Sequence, residues 1–106
     1  MNKEKDSGGY IRLRLPDRDK NEMFGIAERL MGGSRIKVVC EDDKTRLARI
    51  PGRIKRKLRI RAGDLVIVKP WDIQQDDKAD IVYRYRRTQA IVLSKRNILP
   101  KELDVF

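Results

Sequence analysis

Short runs of apolar residues, each closed by a turn signal, recur along this chain at the length of β-strands. Residues 22–31 and 35–41 flank a Gly-Gly-Ser turn. Because the second run is rich in β-branched residues, the two predict a hairpin. Residues 45–50 alternate between polar and apolar side chains until a Pro-Gly pair stops them. The first three runs therefore predict an antiparallel meander.

Two further runs predict that the meander closes into a small barrel. Leu65–Val68 is continuously apolar, which is typical of a strand buried on both faces. Ile81–Tyr85 alternates after a polar loop and predicts a fifth strand. The strands occupy residues 21–86, and five in series indicate an all-β barrel.

The segments on either side of the barrel have different patterns. Residues 1–20 are predicted to be a flexible tail that ends in a short extended arm, because the first nine residues contain nothing to bury. Residues 87–100 predict a short C-terminal helix that Thr88 caps and Pro100 ends. Residues 101–106 are predicted to be a second tail.

The composition excludes most kinds of active site. The 106 residues include no His and one Cys, so no Cys/His metal cage, internal disulfide or His-activated nucleophile can form. We therefore expect a protein that is not an enzyme, binds no metal or other cofactor and is cytoplasmic. A metal-dependent nuclease is an alternative raised only by four clustered aspartates, which match no calcium-loop spacing. They are Asp72, Asp76, Asp77 and Asp80.

The charge points to a polyanionic partner. The formal net charge is +10 at pH 7, and the stretch from Arg46 to Arg61 contains eight basic residues and no acidic one. Cations near phosphates release counterions, so nucleic acid is the first expectation and an anionic membrane the second. Trp71, Tyr83 and Tyr85 stand among or near basic residues, where rings can stack on unpaired bases. They can equally well pack in the barrel, and the sequence leaves both roles open.

The order of these segments resembles the translation initiation factor 1A family, in its short archaeal form. The stretches that carry the resemblance are IPGRIKRKLRI, GDLVIVKPWD and DKADIVYRY, and it covers residues from about 11 to about 99. The resemblance implies a five-stranded antiparallel OB-fold barrel with a short C-terminal helix and flexible tails. It also implies a factor that binds the small ribosomal subunit at the decoding (aminoacyl) site, promotes subunit dissociation and stabilises initiator Met-tRNA binding.

The resemblance further implies which residues contact RNA and which partners take part. The implied RNA-binding residues are Arg46, Arg53, Lys55, Arg56, Lys57 and Trp71, with Arg84 and Arg86 added from the fifth strand. The implied partners are the ribosomal RNA of the small subunit, the initiator tRNA complex and other initiation factors. From the sequence itself we expect a monomer that binds no membrane. A contact with an initiation GTPase through the C-terminal tail would be reduced to Leu103, Asp104, Val105 and Phe106.

A second function remains open at this point. A chaperone that binds single-stranded RNA without sequence preference could use the same barrel, with Trp71, Tyr83 and Tyr85 as its stacking rings. Fold alone does not separate the two functions.

Overall fold

The computed structural model describes residues 13–57, 59–72 and 74–106, without the side chains of Lys55, Arg56 and Lys57. The flexible tail predicted at the N-terminus falls largely on residues 1–12, outside the described residues. The strands are β1 (Met23–Leu30), β2 (Arg35–Cys40), β3 (Thr45–Arg49), β4 (Leu65–Pro70) and β5 (Lys78–Arg84). The helices are α1 (Gly52–Lys57) and α2 (Arg87–Lys95), and 3-10 turns cover Arg18–Lys20 and Lys101–Leu103.

The five strands close into a barrel in the order β1-β2-β3-β5-β4, which confirms the predicted five-stranded barrel. The expectation that every pair is antiparallel is wrong at one seam, where β3 and β5 run parallel and Arg49 pairs with Asp80. The reason is parity: strands that alternate in direction around a closed ring must be even in number, so a ring of five needs one parallel pair. The other four pairs are antiparallel.

The basic run after β3 begins as a helix, an element that the all-β prediction did not include. The helix α1 occupies Gly52–Lys57. Ile54 and, beyond the helix, Ile60 are both buried in the barrel core. The run is therefore folded against the barrel, as its interleaved apolar residues predict.

β4 separates two apolar clusters. Val66 and Val68 point into the barrel, where they join residues of β2, β3 and β5. Leu65 and Ile67 point the other way, into a cluster that α2 covers with Leu93. All four side chains are at most 1% exposed, which explains the continuous apolar run and agrees with a strand buried on both faces.

The first and last residues that the structure describes pack against the second cluster. Leu13 lies against it, and the Tyr85 hydroxyl donates a hydrogen bond to the carbonyl oxygen of Arg14. Leu103 is only 2% exposed, so the segment predicted as a C-terminal tail is docked at that residue. The Ser94 hydroxyl also donates to Asp104 at 2.7 Å.

The N-cap residue of α2 lies two residues before the predicted one. Arg86, not Thr88, is the N-cap residue. Its backbone N–H donates to Gln89 Oε1 at 2.8 Å, so an amide reaching back from the first turn satisfies the helix end in place of a threonine hydroxyl. No helix in the described part of the chain is long and apolar enough to cross a membrane.

Candidate nucleic-acid interface

One outer surface of the barrel collects cations from four strands. Arg35 pairs with Arg49, Arg49 with Asp80, and Asp80 with Lys69, which makes one row across β2, β3, β5 and β4. A second row runs from Lys37 through Leu47 to Lys78. Side chains directly opposite each other in a sheet share a face. We call this surface the basic face; it consists of Arg35, Lys37, Leu47, Arg49, Lys69, Trp71, Lys78 and Asp80.

Trp71 lies at the edge of the basic face and not in the core. The residue is 43% exposed, and its backbone N–H donates to the Lys78 carbonyl at 3.0 Å. Shallow grooves flank it: one of about 250 Å³ reaches Lys69 and Asp80, and one of about 220 Å³ reaches Arg35 and Lys78. Trp71 therefore does not fill the barrel core, and its side chain is exposed at the surface.

Trp71, Arg49 and Asp80 contact one another. The indole Nε1–H donates to Asp80 Oδ1 at 3.2 Å. The Arg49 Nε donates to the same oxygen at 3.1 Å, and the guanidinium carbon lies 5.8 Å from the Trp71 ring centroid. That distance is within the range of a cation–π interaction. A single carboxylate therefore holds both the ring and the cation beside it.

Arg46, implied by the family resemblance to contact RNA, is instead a structural residue. It points to the inside of β3 and its side chain is 2% exposed. The guanidinium donates to both carboxylate oxygens of Asp42, at 2.9 and 2.8 Å, and to Asp76 Oδ1 at 2.8 Å. Its Nε donates to the Asp76 carbonyl at 2.7 Å. These donors are all used within the protein, so the structure gives no support to a direct contact between Arg46 and RNA.

The Arg46 contacts change the acidity of its partners. Hydrogen bonds from Arg46 hold the pKa of Asp42 below its usual value. Hydrogen bonds from Lys44 and, to a smaller extent, from Arg46 lower the pKa of Asp76. The pKa of Arg46 itself is raised, mainly by its bonds to Asp42. This network ties the turn before β3 to the loop before β5 with charged groups at neutral pH.

The four aspartates that raised the nuclease alternative do not converge on one point. Asp76 binds Arg46, Asp80 binds Arg49, and Asp72 accepts a hydrogen bond from the backbone N–H of Gln75 at 2.8 Å. Within the ranges that the structure describes, no group of three or more His, Cys, Asp or Glu side chains could hold a metal ion. The described residues therefore give the nuclease alternative no support.

The other basic residues implied by the resemblance fall in two places. Arg53 is exposed on α1, the helix that follows Arg49 of the basic face. The same helix carries Lys55, Arg56 and Lys57, whose side chains are outside the described residues. Their roles stay predictions.

Arg84 and Arg86 lie away from the basic face. At about 3.3 Å per residue, Arg84 is about 13 Å along β5 from Asp80. Its Nε donates to Asp64 at 3.2 Å, and Arg86 is exposed at the start of α2. The structure does not bring these two arginines together with Trp71.

Tyr83 and Tyr85 pack against each other, and Tyr83 is partly buried while Tyr85 is fully buried. Their centroids are 4.9 Å apart in an edge-to-face arrangement. Tyr85 is 1% exposed, and its burial raises the pKa of its hydroxyl. The Arg14 guanidinium lies 5.4 Å from the Tyr83 ring centroid. Of the three rings named in the sequence, Trp71 is the most exposed.

Sequence reasoning missed most of the cations of the basic face. Arg49 stands within the basic run, but Arg35, Lys37, Lys69 and Lys78 are scattered along the chain. Their outward position follows from strand alternation. Their proximity to one another depends on the β3–β5 seam, for which the sequence carries no local signal.

Comparison with known proteins gives consistent matches along almost the whole chain. The family model described as eIF-1a, translation initiation factor 1A / IF-1, matches residues 11–105. Translation initiation factor 1A of Thermoplasma volcanium is 53% identical over 106 residues, covering 100% of this chain and 84% of that protein. The Thermoplasma acidophilum factor is 55% identical over 103 residues, covering 97% and 86%.

One solved structure provides a comparison of the fold alone. The crystal structure of YjeQ from Thermotoga maritima superposes with a TM-score of 0.51 at 20% sequence identity. The match covers 62% of this chain and 23% of that one.

Proposed function

The chain belongs to the translation initiation factor 1A / IF-1 family of non-enzymatic translation factors, and on that premise we propose that its basic face binds ribosomal RNA at the decoding (aminoacyl) site of the small subunit. The observation that carries the proposal is the combination of five cations with a half-exposed indole on one outer surface. Occupying that site, the protein promotes subunit dissociation and stabilises initiator Met-tRNA binding together with other initiation factors.

The chemistry of this function is occupancy, without bond making or breaking. Arg35, Lys37, Lys69 and Lys78 provide the charge for phosphate contacts, and each phosphate neutralised releases counterions. Trp71 provides a ring face that any unpaired base can use. Folded ribosomal RNA offers phosphates and exposed bases in a fixed arrangement, which a rigid barrel surface can match better than a flexible tail can.

A second basic surface is proposed for α1 and the residues that follow it. Arg53 is exposed there, and Lys55, Arg56 and Lys57 belong to the same motif, IPGRIKRKLRI. The support for this part of the proposal is the family resemblance and the charge of the segment.

The packing of the last residues limits which side chains are free to contact an initiation GTPase. Leu103 is buried and Asp104 accepts a hydrogen bond from Ser94. Val105 is 70% exposed. For this contact we propose that Val105 provides the apolar side chain, and Leu103 does not.

The test is co-sedimentation with purified small ribosomal subunits across a salt series, beside a mixed-sequence RNA oligomer. The variant Arg35→Glu/Lys78→Glu reverses two charges of the basic face. The control Arg96→Glu/Lys101→Glu makes the same change in net charge near α2 and the C-terminal turn, where both residues are exposed. We expect the first variant to lose subunit binding and the control to retain it.

The salt series separates a specific site from general attraction. Binding to any phosphate weakens with salt, by a log-log slope of about 0.7 to 0.9 per phosphate neutralised. Saturation at one copy per subunit, at salt that removes the oligomer, supports the proposal. Equal loss from subunit and oligomer, or equal effects of the two double variants, contradicts it.

The non-specific single-stranded RNA chaperone remains a second candidate because Trp71 is exposed. Tyr85 is buried and Tyr83 is partly buried, so Trp71 is the most exposed of the three rings that the chaperone would use. Trp71 is the only tryptophan of the chain, so its fluorescence reports stacking directly. The chaperone predicts equal quenching by an unstructured oligomer and by small subunits at equal nucleotide concentration. Quenching by the subunit alone excludes it.

A further inference from the structure

Asp80 is an acidic side chain within a surface otherwise suited to bind phosphate. In its row it stands between Arg49 on β3 and Lys69 on β4, and its side chain is 35% exposed. A carboxylate there reduces the attraction for RNA, because it cancels one cation and repels phosphates directly. Its position calls for a compensating role.

The contacts of Asp80 indicate what that role is. Asp80 Oδ1 accepts from both the Trp71 indole and the Arg49 Nε, while Arg49 lies against the Trp71 ring. An arginine side chain and an exposed indole both have several rotamers, and ordering each at a binding interface costs about 0.5 to 1.5 kcal/mol. A shared acceptor fixes both side chains before any ligand arrives.

We propose that Asp80 is a positioning residue that determines specificity. It lowers the general affinity for RNA, but it holds Trp71 and Arg49 as a preformed pair that fits one arrangement of base and phosphate in folded RNA. The inference rests on the proposed function for its ligand, folded ribosomal RNA. Its structural half, the fixing of the ring, can be measured on the free protein. The two halves can therefore fail separately.

The effect of removing Asp80 has opposite signs for two ligands. Asp80→Ala raises the positive charge of the basic face, so affinity for an unstructured RNA oligomer is expected to rise. The same change releases Trp71 and Arg49, so affinity for the small subunit is expected to fall by about threefold to tenfold. Charge alone predicts an increase for both ligands, and a general loss of folding predicts a decrease for both.

Asp77→Asn is the matched control. It changes the net charge by the same amount and lies in the loop leading to the same strand. Asp77 is exposed, and its carboxylate makes no hydrogen bond or ion pair within the part of the chain that the structure describes. We expect both affinities to be unchanged or slightly raised in this variant. Asp80→Asn keeps an oxygen that can accept from the indole but loses the charge that holds Arg49. Its affinities for the oligomer and for the small subunit should therefore lie between those of wild type and Asp80→Ala.

The signals of the Trp71 indole distinguish positioning from a simple change of charge, because charge alone would not alter them. In the free protein, Asp80→Ala should shift the single indole N–H resonance, speed its exchange with water and increase quenching of Trp71 fluorescence by acrylamide. Asp77→Asn should leave all three unchanged. An unaltered indole signal in Asp80→Ala overturns the positioning role.

The binding experiment decides the other half. An altered indole with undiminished subunit binding overturns the specificity role. If wild-type protein binds subunits no better than oligomer, the proposed function fails and the specificity role fails with it, while the indole measurement still decides whether Asp80 positions the ring. Opposite changes for the two RNA ligands, with an altered indole, are the expected result.

Discussion

Arg46 is a basic side chain that the family resemblance assigns to RNA, whereas in the structure it joins Asp42 to Asp76. Its guanidinium is buried against Asp42 and Asp76, and lysine cannot reproduce that planar set of donors. We expect Arg46→Lys to lower the free energy of unfolding by about 2 kcal/mol, since acceptors at a partly buried site lose their donors. Urea denaturation measures this loss.

The same variant should bind RNA normally once it is folded. We expect its affinity for small subunits, measured well below the unfolding temperature, to stay within about twofold of wild type, because the Arg46 side chain is only 2% exposed. Lost binding with unchanged stability would reverse the assignment and return Arg46 to the RNA contacts.

Asp42 should make stability depend on pH in the acid range. Arg46 lowers its pKa in the folded protein below the usual value of 3.8, so the unfolded chain binds the proton more tightly. The resulting stability is fully present above pH 3.8 and is lost as the pH falls through the lower folded value. Asp42→Asn should therefore be less stable than wild type at pH 7. The difference in the free energy of unfolding should shrink as the pH falls below 3.8.

Thermal unfolding between pH 2 and 7 measures the Asp42 effect. Asp43→Asn is the control, because Asp43 is exposed with a positive φ of 67° that asparagine also tolerates. A constant difference between Asp42→Asn and wild type across the range, or an equal effect of Asp43→Asn, would contradict the ion-pair explanation.

At the scale of elements, β1 depends on a glycine inside the barrel. A Cβ at Gly25 would collide with Val38 Cγ1 and lie 3.3 Å from the Val39 carbonyl oxygen. Both neighbours belong to β2, so the two strands would have to separate. We expect Gly25→Ala to cost about 1 to 3 kcal/mol, as for other overpacked cores.

Gly52, the first residue of α1, is the matched test of the same substitution. No heavy atom lies within 4 Å of a Cβ built there. Gly52→Ala should stabilise by about 0.4 to 1 kcal/mol, because it reduces the freedom of the unfolded chain. Urea midpoints of the two variants should move in opposite directions, and a shift of equal sign in both would contradict the steric argument.

The strands and their closure into a barrel were largely predictable, whereas the short helix α1 and the docking of the C-terminal segment were not. Alternation and turn residues located every strand, since those signals are local. α1 was missed because six residues, Gly52–Lys57, are too few to establish a helical period. Docking of Leu103 was missed because its partners, such as Phe24 and Tyr85, are distant in sequence.

At the scale of the whole molecule, the site was harder to predict than the fold. Arg35, Arg49, Asp80 and Lys69 form one row only because the barrel closes through a parallel seam. An odd number of strands requires such a seam, and this could have been deduced from the strand count. Which strands meet there sets the register, and with it the contact of Asp80 with Trp71 and Arg49.

The net charge of +10 should give salt opposite effects on folding and on binding. Excess like charge destabilises a compact state, and the screening length shortens from about 30 Å at 0.01 M to about 8 Å at 0.15 M salt. The melting temperature should therefore rise over this range while affinity for RNA falls. The buried contacts of Arg46 change little, because screening acts mainly on exposed charges.

Arg35→Glu/Lys78→Glu tests the origin of this salt effect. Each substitution removes two units from the net charge of +10, so the variant stands at +6 and repels itself less. We expect its melting temperature to rise less with salt than that of wild type, measured by circular dichroism at both concentrations. Arg96→Glu/Lys101→Glu has the same net charge and should respond equally, because self-repulsion depends on total charge while RNA binding depends on where the charge lies. A melting temperature that falls with salt in wild type would instead show that exposed ion pairs outweigh the net repulsion.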